Sequence, residues 1–140
     1  MKILMPIDGS DYTKRMLSYV AAHEELLGPG HSYTLLTVVA GIPAHAARFL
    51  DRGTLDAYYA EEAERILEPV RAFARQHGWN ADIQRLHGHA ADEIARVATT
   101  GGYDLVVMGS HGHSALGGVV LGSVTSGVLA RCRTPVLLVR

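Results

Sequence analysis

The sequence predicts a doubly wound α/β domain, and three observations lead to this prediction. Five short apolar runs rich in β-branched residues are spread over the 140 residues. Between them lie segments whose apolar residues recur every three or four positions, as on one face of a helix. Glycine and proline stand at many of the boundaries. A chain of this length with 48% hydrophobic residues has room for one core, and therefore for one domain over residues 1–140.

The chain begins with a strand, a helix and a second strand. Residues 3–7 form an apolar run that predicts a strand buried on both faces. Helical spacing follows over residues 11–27, and Ser10 is placed to cap the start of that helix. A β-rich run then predicts the second strand over residues 33–40.

The middle of the chain continues the alternation. Residues 41–53 show no period and are expected to form a loop. A long amphipathic helix is predicted over residues 55–78, with Pro69 expected to kink it. A weaker, alternating run over residues 81–87 predicts the third strand, and a helix follows over residues 91–100.

The last part of the chain adds a buried strand at residues 105–108, a helix after Gly122 and a closing strand at residues 135–139. Strands separated by helices need crossover connections, which produce a parallel sheet covered on both faces. Ligands of such sheets bind beyond the carboxyl ends of the strands, where the direction of winding reverses. Asp8 and Gly109 both follow strand ends and are therefore candidate site residues.

Composition excludes several classes of function. The formal net charge is −1 and the 13 basic residues are scattered, so no charged surface for nucleic acid or an anionic membrane is predicted. The single cysteine, Cys132, cannot form an internal disulfide, which fits a reducing compartment. The N-terminal apolar run is too short for a signal peptide, and no run approaches a membrane span. We expect a soluble, cytoplasmic protein.

A glycine-rich segment between the fourth strand and the last helix is the most informative part of the chain. Gly109 and Gly112 would let the backbone turn tightly and approach a ligand closely. Gly122 and Ser123 begin the last helix, whose free N–H groups form a seat for phosphate, and the hydroxyls of Ser123 and Thr125 can add hydrogen bonds. The spacing is Gx2Gx9GS, which is neither the Rossmann nor the Walker pattern. The alternative is a flexible loop that only connects strand to helix.

This motif resembles the signature of the universal stress protein family, in particular its ATP-binding branch. The resemblance covers the whole chain through the segments KILMPIDGS, LLTVVA, HGHAADEI and TPVLLVR. It implies a fold like that of the adenine nucleotide alpha hydrolases, with a five-stranded parallel sheet in the order 3-2-1-4-5 and helices on both faces. It also implies ATP as ligand, with Mg²⁺ or Mn²⁺, and a homodimer joined through the fifth strands.

The resemblance assigns roles to individual residues. Those implied to hold the adenosine part are Pro6, Ile7, Asp8 and Val38. Those implied to line the ribose are Met108 and Gly109. Those implied to contact the phosphates are Gly112, Gly122, Ser123 and Val124, with His111 beside them.

Charge is scarce around the predicted phosphate seat. Residues 105–130 contain no Lys, Arg, Asp or Glu, so backbone amides, hydroxyls, a metal ion or a histidine must meet the phosphate charge. A protonated His111 could do so, and binding would then weaken as pH rises. Asp8 and Asp11 could hold Mg²⁺ through water, although a solvated helix start is the simpler interpretation. A transition-metal site such as zinc is a further alternative if the two histidine-containing loops converge, and its ligands would be His87, His89, His111 and His113.

The function that these residues favour is a nucleotide-responsive regulatory module in which bound ATP alters recognition of a protein partner. No positioned base or charged clamp for phosphoryl transfer is visible, so we assign no catalytic residue and expect at most weak ATPase activity. A stress adaptor that acts through protein contacts without nucleotide is the alternative. An adenylyl-transfer enzyme is disfavoured, because the loop after the first strand lacks the signatures of that chemistry.

Overall fold

The computed structural model describes residues 1–113 and 120–140, and these residues form one five-stranded sheet. Its strands are β1 (Lys2–Pro6), β2 (Ser32–Ala40), β3 (Asn80–Gly88), β4 (Leu105–Gly109) and β5 (Val136–Val139). All neighbouring strands are parallel, and their order is β3-β2-β1-β4-β5. The predicted fold class and strand order are confirmed.

Helices cover both faces of this sheet. They are α1 (Asp11–Ala22), α2 (Glu24–Leu27), α3 (Ala44–Ala47), α4 (Arg52–Gln76), α5 (Ala90–Thr100) and α6 (Ser123–Arg131). Buried residues of α1 and α4 pack on one face, and those of α5 and α6 pack on the other. In the part of the chain that the structure describes, no helix is both long and apolar enough to cross a membrane.

The central strand explains why the first apolar run shows no alternation. Ile3 and Met5 belong to the core on the α1 and α4 side, whereas Leu4 belongs to the core beneath α5 and α6, with Ile94 and Val128. Successive side chains of a strand point to opposite faces. Because both faces of β1 are covered, every position in its middle is buried, and the run is apolar throughout.

The helix predicted over residues 11–27 is interrupted at His23. Its Nδ1 donates to the main-chain oxygen of Tyr19 at 2.7 Å, the acceptor that a continuing α-helix would use for the N–H of His23. That N–H bonds instead to Val20, at 3.3 Å. The imidazole also stacks on the Tyr19 ring, with centroids 4.0 Å apart. This side-chain competition ends α1, and a separate turn, α2, follows.

The loop predicted over residues 41–53 contains more structure than expected. The short helix α3 lies within it, and α4 begins at Arg52. Asp51 caps α4, because its side chain accepts hydrogen bonds from the main-chain N–H and the hydroxyl of Thr54, both at 2.8 Å. Downstream, α4 continues as one helix through Pro69.

Candidate functional site

The turn that follows β1 is held together by its own side chains. Oδ1 of Asp8 accepts hydrogen bonds from the main-chain N–H of Ser10 at 3.0 Å and from the hydroxyl of Thr13 at 2.8 Å. Gly9 completes the turn with a φ of 75°, in the left-handed region that favours glycine. Ser10 caps α1 by accepting from the N–H of Thr13, as predicted. One carboxylate oxygen of Asp8 therefore stabilises the turn by accepting two hydrogen bonds.

The other carboxylate oxygen of Asp8 lies against the glycine-rich segment. A β-carbon on Gly112 would stand 2.5 Å from Oδ2 of Asp8, and one on Gly122 would stand 3.0 Å from Cα of His111. One on Gly109 would stand 2.8 Å from a side-chain carbon of α1. From the sequence, we expect glycine at these positions because it lets a ligand come close to the backbone. The structure adds a second reason. The chain segments pack so closely here that a β-carbon would clash even without a ligand.

The start of α6 presents main-chain donors at the carboxyl end of the sheet. Gly122 is its N-cap, with φ −68° and ψ 160°, and α6 begins at Ser123 as predicted. The first N–H groups of a helix have no acceptor within the helix, and the positive end of the helix dipole coincides with them. The hydroxyl of the buried Thr125 donates to the main-chain oxygen of Gly109 at 3.0 Å. The hydroxyl that was expected to bond to phosphate therefore already has a protein acceptor.

A cavity of about 540 Å³ lies at the carboxyl ends of β1, β2 and β4. All twelve residues predicted for the site line this cavity, and they are Pro6, Ile7, Asp8, Val38, Met108, Gly109, His111, Gly112, Gly122, Ser123, Val124 and Thr125. They come from four separate parts of the chain, and the fold brings them together. Their contacts with a nucleotide stay a prediction.

Five further residues line the cavity without having been predicted, namely Thr13, Leu36, Ala90, Ile94 and His113. Three of them could have been predicted from their positions in the sequence. Leu36 lies two residues before Val38 and so shares its face of β2. Ala90 and Ile94 are four residues apart at the start of α5, directly after a strand end, so they share one face of a helix.

The cavity has an apolar floor and a more polar rim. Leu36, Ile94 and Met108 are buried and form part of the floor. Ser123 and His113 line the cavity but are exposed, which places them at the rim. An apolar floor with a few polar groups suits a flat aromatic group at one end of a ligand and a polar group at the other.

Two histidines contribute to this rim. Nδ1 of His111 lies 3.0 Å from the hydroxyl of Ser110, and its ring centroid lies 5.0 Å from that of Tyr12. Nε2 of His113 donates to the main-chain oxygen of Asp8 at 2.7 Å. The segment after β4 is thereby connected to the turn after β1.

The other histidine pair makes different contacts. His87 stacks almost in parallel on Tyr59, with centroids 4.2 Å apart and an interplanar angle of 6°. His89 lies 3.0 Å from the carboxylate of Asp92, which also pairs with Arg131 at 2.9 Å. Among the described residues, no group of three or more His, Cys, Asp or Glu side chains is arranged to hold a metal ion.

The comparison with known families agrees with the fold and with the glycine motif. The family model described as the universal stress protein family matches residues 1–140. The chain belongs to the universal stress protein family. This confirms the family resemblance inferred from the Gx2Gx9GS spacing.

Individual universal stress proteins match over almost their whole length. One from Methanocaldococcus jannaschii, MJ0577, is 29% identical, and the match covers 99% of this chain and 94% of the relative. One from Thermus aquaticus is 32% identical, with 99% of this chain and 97% of the relative covered. A solved structure of MJ0577 superposes with a TM-score of 0.82 at 30% identity, covering 99% of this chain and 94% of that one.

More distant universal stress proteins share the fold and have been solved with nucleotides. One from Archaeoglobus fulgidus in complex with dAMP has a TM-score of 0.69 at 20% identity, with 100% of this chain and 98% of that chain covered. One from Arabidopsis thaliana with AMP bound has a TM-score of 0.70 at 17% identity, with 99% and 90% covered. At these identities the likeness concerns the fold alone.

Proposed function

We propose that this universal stress protein is a nucleotide-responsive regulatory module of the stress response that binds ATP together with Mg²⁺ or Mn²⁺. The observation that carries the proposal is the cavity of about 540 Å³ at the carboxyl ends of three parallel strands. Its volume and its apolar floor are typical of small-molecule sites. It lies where the winding reverses between β1 and β4, which is where open parallel sheets bind ligands.

The lining suggests how the nucleotide would lie. The adenosine part would rest on the apolar floor near Val38 and Met108, and the carboxylate of Asp8 would accept hydrogen bonds from it. The phosphates would lie at the start of α6, where the main-chain N–H groups of Ser123 and Val124 and the helix dipole favour negative charge. In this pose the apolar floor contacts the adenosine part, and the main-chain donors at the start of α6 bind the phosphates.

The comparisons support the class of ligand. Two proteins of the same fold carry dAMP and AMP. Adenine nucleotides therefore occupy members of this family, and the cavity here occupies the part of the fold where such ligands are expected. The triphosphate is our extension, based on the Gx2Gx9GS motif of this chain.

A divalent ion would bind at this site only together with the phosphates, which would supply most of its ligands. Mg²⁺ is commonly held by one or two carboxylates together with phosphate oxygens and water. Asp8 is the one carboxylate among the described residues that line the cavity, and it would reach the ion through a water molecule. Asp11 is exposed and pairs with Lys14 at 3.1 Å, outside the cavity lining.

Regulation would follow from the way the cavity is assembled. The turn after β1, the segment after β4 and the start of α6 all contribute to the lining. A ligand that contacts all three stabilises one arrangement of them, and a protein partner that recognises this arrangement then binds with a different affinity. No catalytic residue is assigned, and any ATP hydrolysis would be slow.

The proposal includes a homodimer paired through β5. The main-chain oxygens of Pro135 and Val139 face β4. They accept hydrogen bonds from the main-chain N–H groups of Val106 and of Ser110, which directly follows β4. Main-chain groups alternate sides along a strand, so Leu138 turns its N–H to the open edge of the sheet. We expect the wild type to have twice the chain mass in light scattering, Leu138→Pro to be a monomer, and Leu138→Val to remain a dimer. A wild type with the mass of one chain would contradict the dimer.

The proposal also places the protein in the cytoplasm. Cys132 is the only cysteine and is a free thiol, half-buried beside the start of β5. A protein without disulfides is compatible with a reducing compartment. Fractionation of cells that produce the full chain tests this placement.

Calorimetry with ATP and Mg²⁺ tests the nucleotide proposal. Gly122→Val is a poor test variant, because a β-carbon there meets Cα of His111 at 3.0 Å and would disturb the protein itself. Ala90→Leu fills the cavity from the first residue of α5, and Ala72→Leu adds the same atoms to an exposed part of α4. We expect micromolar binding by the wild type and by Ala72→Leu, and at least tenfold weaker binding by Ala90→Leu. A wild type that binds no adenine nucleotide would contradict the proposal and favour the adaptor alternative.

A further inference from the structure

A second cavity lies on the other face of the sheet, beneath the last turns of α4. Its volume is about 160 Å³. Leu35 lines it, whereas Leu36, the next residue of β2, lines the first cavity. Successive side chains of a strand point to opposite faces, so the sheet lies between the two cavities. In the part of the chain that the structure describes, they share no lining residue. The second cavity is therefore independent of the proposed nucleotide site.

The floor of the second cavity is apolar. Leu35 and Ile83 are direct partners in the pairing of β2 with β3, and Ala81 lies two residues before Ile83 on the same face. Ala74 adds a buried methyl group from α4. An apolar cavity of about 150 Å³ can hold a benzene molecule. This floor therefore has room for a flat or branched apolar group of about six non-hydrogen atoms.

Trp79 forms a fixed wall of the second cavity. Its ring stacks on that of Tyr33, with centroids 5.1 Å apart, and meets Phe73 edge to face at 5.6 Å. The indole N–H donates no hydrogen bond within residues 1–113 and 120–140. Among these residues the hydroxyl of Thr37 is the one fully buried side-chain polar atom without a partner, so the indole nitrogen is not sealed off. The wall therefore combines an aromatic surface with a hydrogen-bond donor that has no acceptor in the protein.

Two arginines one helical turn apart line the mouth of the second cavity, and their charges are in different states. Arg71 is half-buried and lies 2.6 Å from both Glu64 and Glu68, so its charge is compensated. Arg75 is exposed, and its guanidinium makes no ion pair or hydrogen bond with any residue that the structure describes. A guanidinium matches a carboxylate through two parallel hydrogen bonds. The mouth therefore offers one uncompensated cation with the geometry that suits a carboxylate.

We propose that the second cavity binds a small monocarboxylate with a flat or branched apolar body. The carboxylate pairs with Arg75, and the body rests between Trp79 and the floor at Leu35. Both parts of the ligand are needed, because a plain inorganic anion gains nothing from the floor and a neutral analogue gains nothing from the guanidinium. Benzoate has the size and the charge that this cavity fits, and it is the probe for the test.

The indole N–H of Trp79 reports directly on the second cavity. Trp79 is the only tryptophan of the chain, so a ¹H–¹⁵N spectrum contains one indole signal. The ¹⁵N-labelled full chain is titrated with benzoate, acetate or benzamide at neutral pH and constant ionic strength. We expect benzoate to shift this signal in a saturable way with a Kd on the order of 1 mM, and the other two to bind at least about tenfold more weakly. No saturable shift with benzoate, or equal binding of acetate or benzamide, would overturn the proposal.

A matched pair of arginine variants tests the charge at the mouth. Arg75→Gln removes the guanidinium that the proposal uses. Arg65→Gln removes one elsewhere on α4, where Arg65 pairs with Glu62 at 2.9 Å outside the cavity lining. Both arginines are exposed, so both variants should fold. We expect benzoate to bind at least about tenfold more weakly to Arg75→Gln and within about twofold of wild type to Arg65→Gln. Equal benzoate binding by the two variants would contradict the proposal.

A third variant tests the placement of the apolar body. Ala81→Val narrows the second cavity from its floor, and valine is well suited to a strand. We expect benzoate to bind at least about fivefold more weakly to this variant, while its spectrum keeps the signal dispersion of a folded protein. Wild-type affinity for benzoate in Ala81→Val would show that the ligand lies elsewhere and would overturn the proposal.

Discussion

The hydroxyl of Thr125 donates a hydrogen bond to the main-chain oxygen of Gly109 across 3.0 Å. Gly109 is the last residue of β4, and Thr125 lies in the first turn of α6, so this bond joins the two ends of the glycine-rich segment. Thr125 is only 2% exposed. The position of the helix start relative to the sheet therefore depends on a buried polar contact.

We expect Thr125→Val to destabilise the protein by about 1–2 kcal/mol, because valine keeps the shape and leaves the Gly109 oxygen without its donor. The cost is measured by urea denaturation. Affinity for ATP with Mg²⁺ should also fall, since the start of α6 loses its connection to β4. Thr125→Ser retains the hydroxyl and is the control. A Thr125→Val protein as stable as the wild type would show that the bond contributes nothing.

A double-mutant cycle tests the contact between Gly112 and Asp8. Gly112 is not in the left-handed region, so alanine is compatible with its backbone conformation, and the close contact is with the Asp8 carboxylate alone. Gly112→Ala should therefore cost about 1–3 kcal/mol in the wild type and much less in an Asp8→Ala background. Urea denaturation of all four proteins gives the interaction energy. Additive effects would mean that the carboxylate does not hold this position.

The crossing of α5 and α6 depends on a second glycine. A β-carbon on Gly127 would stand 2.6 Å from the β-carbon of Ala91. Replacing a glycine within a helix by alanine normally stabilises it by about 0.5–1 kcal/mol. Here we expect the opposite, a loss of about 1–3 kcal/mol from overpacking. In an Ala91→Gly background the same substitution should become neutral or stabilising, and a loss that persists there would contradict the packing explanation.

The cap of α4 should make stability depend on pH in the acid range. The N–H of Thr54, and then its hydroxyl, donate to Asp51 and lower the pKa of its carboxyl from its usual value. A carboxyl whose pKa is lower in the folded state stabilises the fold above its unfolded pKa, and this stabilisation disappears as pH falls through the folded value. Thermal denaturation should show wild type and Asp51→Asn differing at neutral pH and converging in acid. A difference that is constant with pH would exclude the charge as its cause.

The regular part of the fold could be predicted because its pattern follows directly from burial. The run Ile3 to Ile7 is apolar throughout since β1 is covered on both faces, whereas β3 alternates because it lies at an edge of the sheet. The interruption at His23 could not be predicted in the same way. It depends on one imidazole competing for the carbonyl of Tyr19, and residue periodicity contains no information about that competition.

The candidate site was predictable to the extent that a spaced motif identifies it. The glycines could be recognised from their Gx2Gx9GS spacing. The residues at strand ends could be recognised because ligands of parallel sheets bind there. The contribution of His113 depends on how the turn after β1 meets the segment after β4. Such contacts join positions more than 100 residues apart, as between His113 and Asp8, and local sequence does not specify them.

The cavity draws its lining from both halves of the chain, with Pro6 to Val38 on one side and Ala90 to Thr125 on the other. During synthesis the first half emerges from the ribosome well before the second, and domains generally fold as units. A nascent chain therefore has no place for the ligand until α6 has been made and has docked on α5. The proposed nucleotide would therefore bind only to a chain that has been made and folded through α6.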